Sequence, residues 1–205
     1  QGEVLAVEAA LASSLAAGRA RLARLVSRDV SALSASEVRE SAIESLAENL
    51  NDSLVAPVFW FALFGLPGAA LYRFANTADA MWGYRGERGG RDWTWAGKWA
   101  AHADDVLSWA PARITAWLLA LTAWHWPRGL AVEARRTLSP NSGWPMAAMA
   151  LLLGVRLGKP GVYKLNAPGR EPEGADVQRS AAAGARLVIV LAACAALASV
   201  LLAAG

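Results

Sequence analysis

The chain has 205 residues, of which 55% are hydrophobic and only 18% charged, with a net charge of +3. Soluble domains carry about a quarter charged residues, so this balance points to a membrane protein, and the scattered basic residues give no nucleic-acid-binding tract. The single cysteine, Cys194, excludes an internal disulfide framework and a cysteine metal cluster, and two histidines, His102 and His125, are too few for a histidine zinc site.

Residues 3–26 are rich in Ala and Leu, with Arg19, Arg21 and Arg24 late in the run. They read as an amphipathic helix whose C-terminal positive charge suits the helix dipole, with Gly18 as the candidate break between two helices. Glu and Arg interrupt the run too often for a signal peptide. The chain opens on Gln1, and the expectation is that a natural N-terminal part precedes it.

Arg28-Asp29-Val30-Ser31 is a short polar connection. Ser34-Ala-Ser-Glu37 is a capping box and predicts a helix start. Beyond it Ile43, Leu46, Ala47, Leu50 and Leu54 form an apolar stripe at helical spacing. Glu40, Glu44, Glu48 and Asp52 form an acidic stripe beside it. Like charges at that spacing repel by about 0.2–0.5 kcal/mol per pair. Either something positive covers the face (Arg side chains, a metal ion or a cationic substrate) or it is a solvated helix face.

Residues 53–75 contain no acid and one late arginine, Arg73, and are long enough to span a bilayer. Gly65-Leu-Pro67-Gly68 sits in the middle, and Pro flanked by Gly ends a helix more often than it kinks one. The prediction is a re-entrant hairpin of two short apolar helices, tolerated at membrane depth where protein or water surrounds the turn. It returns residue 76 to the side it left.

A second polar cluster comprises Asn76-Thr77-Ala78-Asp79, Met81, Gly83-Tyr84-Arg85 and Glu87-Arg88. A third comprises Gly97-Lys98, Asp104-Asp105 and Pro111-Ala112-Arg113. Arg113 lies inside the apolar segment 106–126, where an ionisable group needs a partner, and Asp104 or Asp105 is the expected one. Ser139-Pro140-Asn141-Ser142-Gly143-Trp144-Pro145 predicts a turn leading into a helix. Residues 146–157 read as a short apolar helix, 158–185 as a solvated loop with a partial helix, and 187–204 as the cleanest transmembrane helix.

Of ten tryptophans, Trp109, Trp117, Trp124, Trp126 and Trp144 fall at or near ends of apolar segments, as an interfacial belt places them. Trp93, Trp95 and Trp99 lie in the polar stretch and belong to belt or packing, or stack on a flat ligand. Together these readings predict an all-α, polytopic integral membrane protein. It is a single domain over residues 1–205, with a broken or re-entrant apolar hairpin and amphipathic surface helices among membrane lipid.

No Walker loop, dinucleotide fingerprint, zinc-protease helix or Gly-x-Ser-x-Gly elbow is present. What remains is carboxylates, amides and arginines at helix ends. Carboxylates four residues apart can hold Mg²⁺ through oxygen, with water and substrate phosphate completing the shell. Arginines grip phosphate or carboxylate. The pattern fits an enzyme acting on anionic, phosphorylated substrates at a membrane surface, and equally a transporter or scaffold.

A resemblance narrows this. Arg28-Asp29-x-Ser31, Glu44-Ser-x-Ala-Glu48-Asn49-x-x-Asp52, Ala56-Pro57, Asn76-Thr77-x-Asp79-x-Met81, Gly83-Tyr84-Arg85, Glu87-Arg88, Asp104-Asp105, Pro111-Ala112-Arg113 and Ser139-Pro140-Asn141-x-Gly143-Trp144-Pro145 resemble the signature series of the adenosylcobinamide-phosphate synthase family, the CobD/CbiB family of cobalamin (vitamin B12) biosynthesis. Order and spacing match from about residue 20 to residue 163. Two positions depart from the pattern: Ser27 stands where Gly is usual and Arg85 where Lys is common. The family's N-terminal membrane segments, with a His-Pro-rich motif, are missing from the chain.

The resemblance implies a multi-pass enzyme of the bacterial inner membrane that joins aminopropanol or its phosphate to adenosylcobyric acid by an amide bond, using ATP and Mg²⁺. On that footing Glu44, Glu48, Asp52 and Asp79 hold metal or serve as base, with Glu48, Asp52 and Asp79 as the Mg²⁺ set. Arg28, Arg85, Arg88 and Arg113 hold phosphate or propionate, and Asp29 and Glu87 belong to the substrate site. Asn49, Asn76 and Asn141 bond corrin amides or cap helices, and Asp104 and Asp105 line the site or pair Arg113. Other enzymes of the pathway are the expected protein partners, with a non-catalytic scaffold and a corrinoid transporter as the rival functions.

Overall fold

Ser34 starts the helix around which the other elements gather. Its hydroxyl accepts from the Glu37 amide at 3.3 Å, and the Glu37 carboxylate accepts from the Ser34 amide at 2.7 Å, the capping box the sequence predicts. In a computed structural model, which describes residues 1–83, 86–88 and 90–204, the chain is mostly helical. The side chains of Glu87, Arg88, Arg91, Ala96, Ala198, Ser199 and 201–204 lie outside that description.

Helix α3 (Ala35–Leu50) buries Val38, Ala42, Ile43, Leu46, Ala47 and Leu50. It runs through a π-helical turn (Asn51–Val55) into helix α4 (Ala56–Trp82). Such turns take one extra residue and rotate the helix beyond them, and they recur at functional sites.

Helix α4 is two arms. Gly65, at φ 62° and ψ −154°, adopts a conformation reserved for glycine and reverses the chain. The return arm lies close because Gly68 has no side chain: a Cβ there would come 2.5 Å from the Trp60 carbonyl oxygen. A continuous helix would hold residues 52 and 73 about 30 Å apart. Instead Arg73 Nη1 donates to the Asp52 carbonyl at 2.9 Å. The predicted hairpin is therefore present. Phe61, Leu63, Phe64 and Leu66 at its tip are exposed, and an arm of residues 56–64 is only about 13 Å long, too short to cross a bilayer.

The hairpin β1 (Glu87–Arg88) with β2 (Arg91–Asp92) leads into helix α5 (Ala96–Thr122), which packs along α4. Trp60 Nε1 ties the two, donating to the Leu107 carbonyl at 3.0 Å. Helix α6 (Leu130–Ala134) supports α7 (Gly143–Leu153), whose residues Met146, Ala147, Ala148, Met149 and Ala150 are all buried. Helix α7 is a core helix, which explains an apolar run too short for a membrane. Strands β3 (Leu157–Lys159) and β4 (Tyr163–Leu165) form a hairpin over α3, and helix α8 (Gly174–Ala204) packs on the N-terminal helix α1 (Gly2–Ser13), α3 and α5.

By length and composition, the runs Ala35–Trp82 and Gly174–Leu197 could cross a membrane. The first doubles back at Gly65. The second lies within the single helix α8.

Three expectations need correction or refinement. The N-terminal segment breaks at Ser14 and not at Gly18: α1 (Gly2–Ser13) and α2 (Leu15–Leu22) meet at an extended Ser14 whose hydroxyl accepts from the Ala17 amide. Gly18 serves their crossing, since a Cβ there would lie 2.6 Å from Leu11 Cδ1. The mostly helical fold agrees with the all-α reading, to which it adds two short hairpins with too few residues for an alternating pattern. Helix α8 starts at Gly174, well before residue 187, because the buried Asp176 carboxylate is neutralised by Arg170 at 2.6 Å and by Arg179.

Candidate active site

Arginine covers the first two carboxylates of the acidic stripe. Arg156 Nε lies 3.3 Å from Glu40 Oε1, and Arg28 Nη2 lies 3.7 Å from Glu44 Oε2. Both glutamates are buried, so a solvated face is not the explanation for either. The turn before α3 aims Arg28: Asp29 Oδ1 accepts from the Ser31 amide at 2.8 Å and Oδ2 lies 3.0 Å from the Ser31 hydroxyl. The Ser31 amide holds the Asp29 carboxyl below its ordinary range. Asp29 is exposed, and its charge serves this turn.

Arg28, Glu44, Glu48, Asn49 and Asp52 line a cavity of about 280 Å³, closed on one side by Lys159 and Tyr163 of the β3–β4 hairpin. Arg28 Nη2 donates to the Ser41 hydroxyl. Two buried atoms on these walls have no hydrogen-bond partner among the described residues: Arg28 Nε and Glu44 Oε1. Burial, then the negative charge of Glu44 and Glu48, pushes the Tyr163 phenol up, so it stays a protonated donor.

A second polar cavity, of about 420 Å³, adjoins the first and shares Glu48, Asn49 and Asp52 with it. Its other walls include Arg73, Asn76 and Asp79 from the return arm of α4, Asp104 and Ser108 from α5, and Ser139 and Asn141 from the turn before α7. A ring of hydrogen bonds frames it. The Tyr72 hydroxyl lies 3.5 Å from Asp52 Oδ1 and 3.2 Å from the Ser108 hydroxyl, itself 3.5 Å from Asp104 Oδ1. Asn76 Nδ2 donates to Asp104 Oδ1 at 3.1 Å, Arg73 donates to Asn76 Oδ1 at 3.2 Å, and Arg73 returns to the Asp52 carbonyl. Asn51 anchors the π turn, its Nδ2 donating to Asp52 Oδ1 at 2.8 Å and its Oδ1 lying 3.2 Å from the Thr115 hydroxyl.

The hairpin thus brings Glu48, Asp52 and Asp79 to one cavity, as the sequence expects. Among the described residues, however, no three His, Cys, Asp or Glu side chains stand together as a ready-made metal site. The donor set is hard oxygen throughout, which fits Mg²⁺ held by one or two carboxylates with water and phosphate oxygens supplying the rest.

Arg113 corrects an expectation: it pairs with neither Asp104 nor Asp105. Nine residues along a helix place Asp104 on the opposite face, and eight leave Asp105 nearly a quarter-turn away. Arg113 instead lies against the rings of Trp109 and Trp144, 4.3 and 4.7 Å from their centres, and donates to Asn141 Oδ1 at 3.3 Å. Asn141 Nδ2 donates to the Asp105 carbonyl at 2.7 Å, so this buried amide clamps α5 to the turn before α7. Asn49 is held by its own helix, Nδ2 donating to the Ser45 carbonyl at 2.8 Å. Arg85, and the side chains of Glu87 and Arg88, lie outside the described residues.

Sequence reading missed Tyr72, Arg73, Ser108, Lys159 and Tyr163. Tyr72 and Arg73 looked like the tail of an apolar run, and only the reversal at Gly65 turns them to the site. A larger cavity, of about 720 Å³ around Trp117, Trp124 and Trp126, is bordered by Arg113 but by no carboxylate. Its exposed tryptophans suit the interfacial belt.

The CobD/Cbib protein family matches residues 1–191. The chain is 48% identical over 165 residues to the probable cobalamin biosynthesis protein CobD of Pyrococcus abyssi, covering 79% of this chain and 53% of that protein. It is 46% identical over 171 residues to the protein of the same name from Methanothermobacter thermautotrophicus, covering 80% and 56%. It is 41% identical over 198 residues to the cobalamin biosynthesis protein CobD of Rhodobacter capsulatus, covering 88% and 62%. The chain therefore spans between half and two thirds of the length of these curated relatives. No solved structure matches it significantly. The match over residues 1–191 and the identities together place it: the chain belongs to the CobD/Cbib protein family.

Proposed function

We propose that the protein serves cobalamin biosynthesis as a membrane-embedded amide synthase, joining aminopropanol or its phosphate to a propionate of adenosylcobyric acid. One observation carries this reading: two polar cavities, one bordered by Arg28, Lys159 and Glu44 and the other by Arg73, Asn76, Asp79 and Asp104, meet at Glu48, Asn49 and Asp52. A reaction between two unlike substrates needs such adjoining compartments, because holding both reactants in place removes much of the entropic barrier.

Amide formation from a carboxylate needs a leaving group. In this reading a propionate oxygen attacks the terminal phosphate of ATP and releases ADP. The amine then attacks the acyl carbon, the C–N bond forms, inorganic phosphate departs and the amine's proton passes to a carboxylate. Glu48 suits that role, since it alone among the described glutamates borders both cavities. Glu44 faces the smaller cavity with a free oxygen. Mg²⁺ neutralises phosphate charge when bound, and Glu48, Asp52 and Asp79 are the groups that would hold it. In this reading Arg28 grips phosphate.

The test uses the protein reconstituted in bilayers with adenosylcobyric acid, aminopropanol phosphate, ATP and Mg²⁺, read by mass spectrometry. A corrin heavier by the amino alcohol phosphate minus water supports the synthase. An unchanged corrin, with a full-length relative active in parallel, removes catalysis by this chain. Unchanged corrin that crosses the bilayer would assign transport instead.

A further inference from the structure

Lys159 is a cation that the amide chemistry above leaves unused. It ends β3 and borders the smaller cavity together with Arg28, Glu44 and Glu48. Among the described residues no ion pair involves it. On the same walls, and among the described residues, Arg28 Nε is a buried donor without an acceptor and Glu44 Oε1 a buried acceptor without a donor, while the Tyr163 phenol faces the same carboxylate. Buried polar groups are costly to leave unpaired. These two ask for a ligand that accepts at one end and donates at the other. With about 280 Å³, the pocket suits a small molecule and not a corrin ring.

We propose that this pocket holds the phosphorylated amino alcohol, with its phosphate between Arg28 and Lys159 and its nitrogen on Glu44, so that Lys159 sets the preference for the phosphorylated over the free form. The inference rests on the synthase reading and extends it to one substrate's seat. Arginine's planar fork takes two phosphate oxygens, and lysine adds a compact charge. A nitrogen held by Glu44 lies one helical turn from Glu48, the carboxylate assigned to receive its proton. A nucleotide triphosphate offers the same phosphate chemistry, but it sets acceptor oxygens against an acceptor at Glu44.

Two measurements decide it. Titration calorimetry on the purified protein, without corrin, compares aminopropanol phosphate, aminopropanol and ATP for the natural protein, Lys159→Met and Lys159→Arg. The expected result is binding of the phosphorylated amino alcohol that weakens at least tenfold in Lys159→Met and recovers in Lys159→Arg. Steady-state kinetics then reads kcat/KM for the phosphorylated over the free amino alcohol, and the ratio should fall at least tenfold in Lys159→Met. Equal losses for both forms, an unmoved ratio, or Lys159-dependent binding of ATP in place of the amino alcohol phosphate would overturn the assignment. A protein that makes no amide yet binds the amino alcohol phosphate through Lys159 would refute the synthase reading and leave this pocket standing.

Discussion

Arg73 Nη1 donates to the main-chain carbonyl of Asp52 at 2.9 Å, joining residues 21 apart in the chain. The bond pins the end of the apolar hairpin to the π turn, and it places the return arm's Asn76 and Asp79 opposite Glu48 and Asp52. Hairpin and site are one construction.

That relationship makes Gly65 a site residue at a distance. Its φ of 62° and ψ of −154° lie where an L side chain is strained by about 1–3 kcal/mol. Gly65→Ala should lower the thermal midpoint in detergent and lower amide synthesis together. A variant as stable and active as the parent would mean that the reversal does not assemble the cavity.

Glu48 separates chemistry from architecture. Glu48→Gln keeps the shape and removes the base, so turnover should fall by about 10²–10⁴ while the unfolding midpoint moves little. Turnover within a factor of three of the parent would assign the proton to another group.

Tyr72 is fully buried with its hydroxyl between Asp52 and Ser108. Tyr72→Phe deletes that hydroxyl and should cost about 1–2 kcal/mol, seen as a lower midpoint with the helical signal intact. An unchanged midpoint would show that the ring of hydrogen bonds adds nothing to stability.

Asp176 tests an ion-pair cluster that lines neither polar cavity. Its carboxylate is buried and takes Arg170, Arg179 and the Glu173 amide, the last at 2.8 Å. Both arginines are about half exposed, so water screens part of the attraction. Asp176→Asn should cost about 1–3 kcal/mol and leave the rate per folded molecule unchanged. A loss of rate without a loss of stability would tie α8 to the chemistry.

Removing Mg²⁺ distinguishes a substrate-borne ion from a structural one. With no ready-made cluster among the described residues, chelation should abolish turnover and leave the midpoint of the substrate-free protein where it was. A midpoint that falls on chelation would reveal a metal built into the fold.

Much of this construction is legible from local signals. Ser34 and Glu37 announce the start of α3, Gly65 and Pro67 announce the reversal, and the carboxylate spacing announces a face that needs company. Each is a matter of a few neighbouring residues, where propensity and periodicity speak directly. The failures lie where partners come from far along the chain. Arg156 covers Glu40 across 116 residues, and no local rule pairs them. The nearest acids looked like the partners of Arg113, but helix geometry turns it towards Trp109 and Trp144. Lys159 and Tyr163 sit on strands of three residues each, too short to show a pattern, and only the tertiary fold sets them against Glu44.

Oxygen labelling traces the proposed acyl phosphate directly. Adenosylcobyric acid carrying ¹⁸O in both oxygens of the reacting propionate, incubated with protein, amino alcohol phosphate, ATP and Mg²⁺, should yield inorganic phosphate with one ¹⁸O and an amide that keeps the other. Labelled phosphate in that ratio establishes activation through an acyl phosphate and amide synthesis by this chain. Unlabelled phosphate, or a corrin that keeps both heavy oxygens and its original mass, would contradict it.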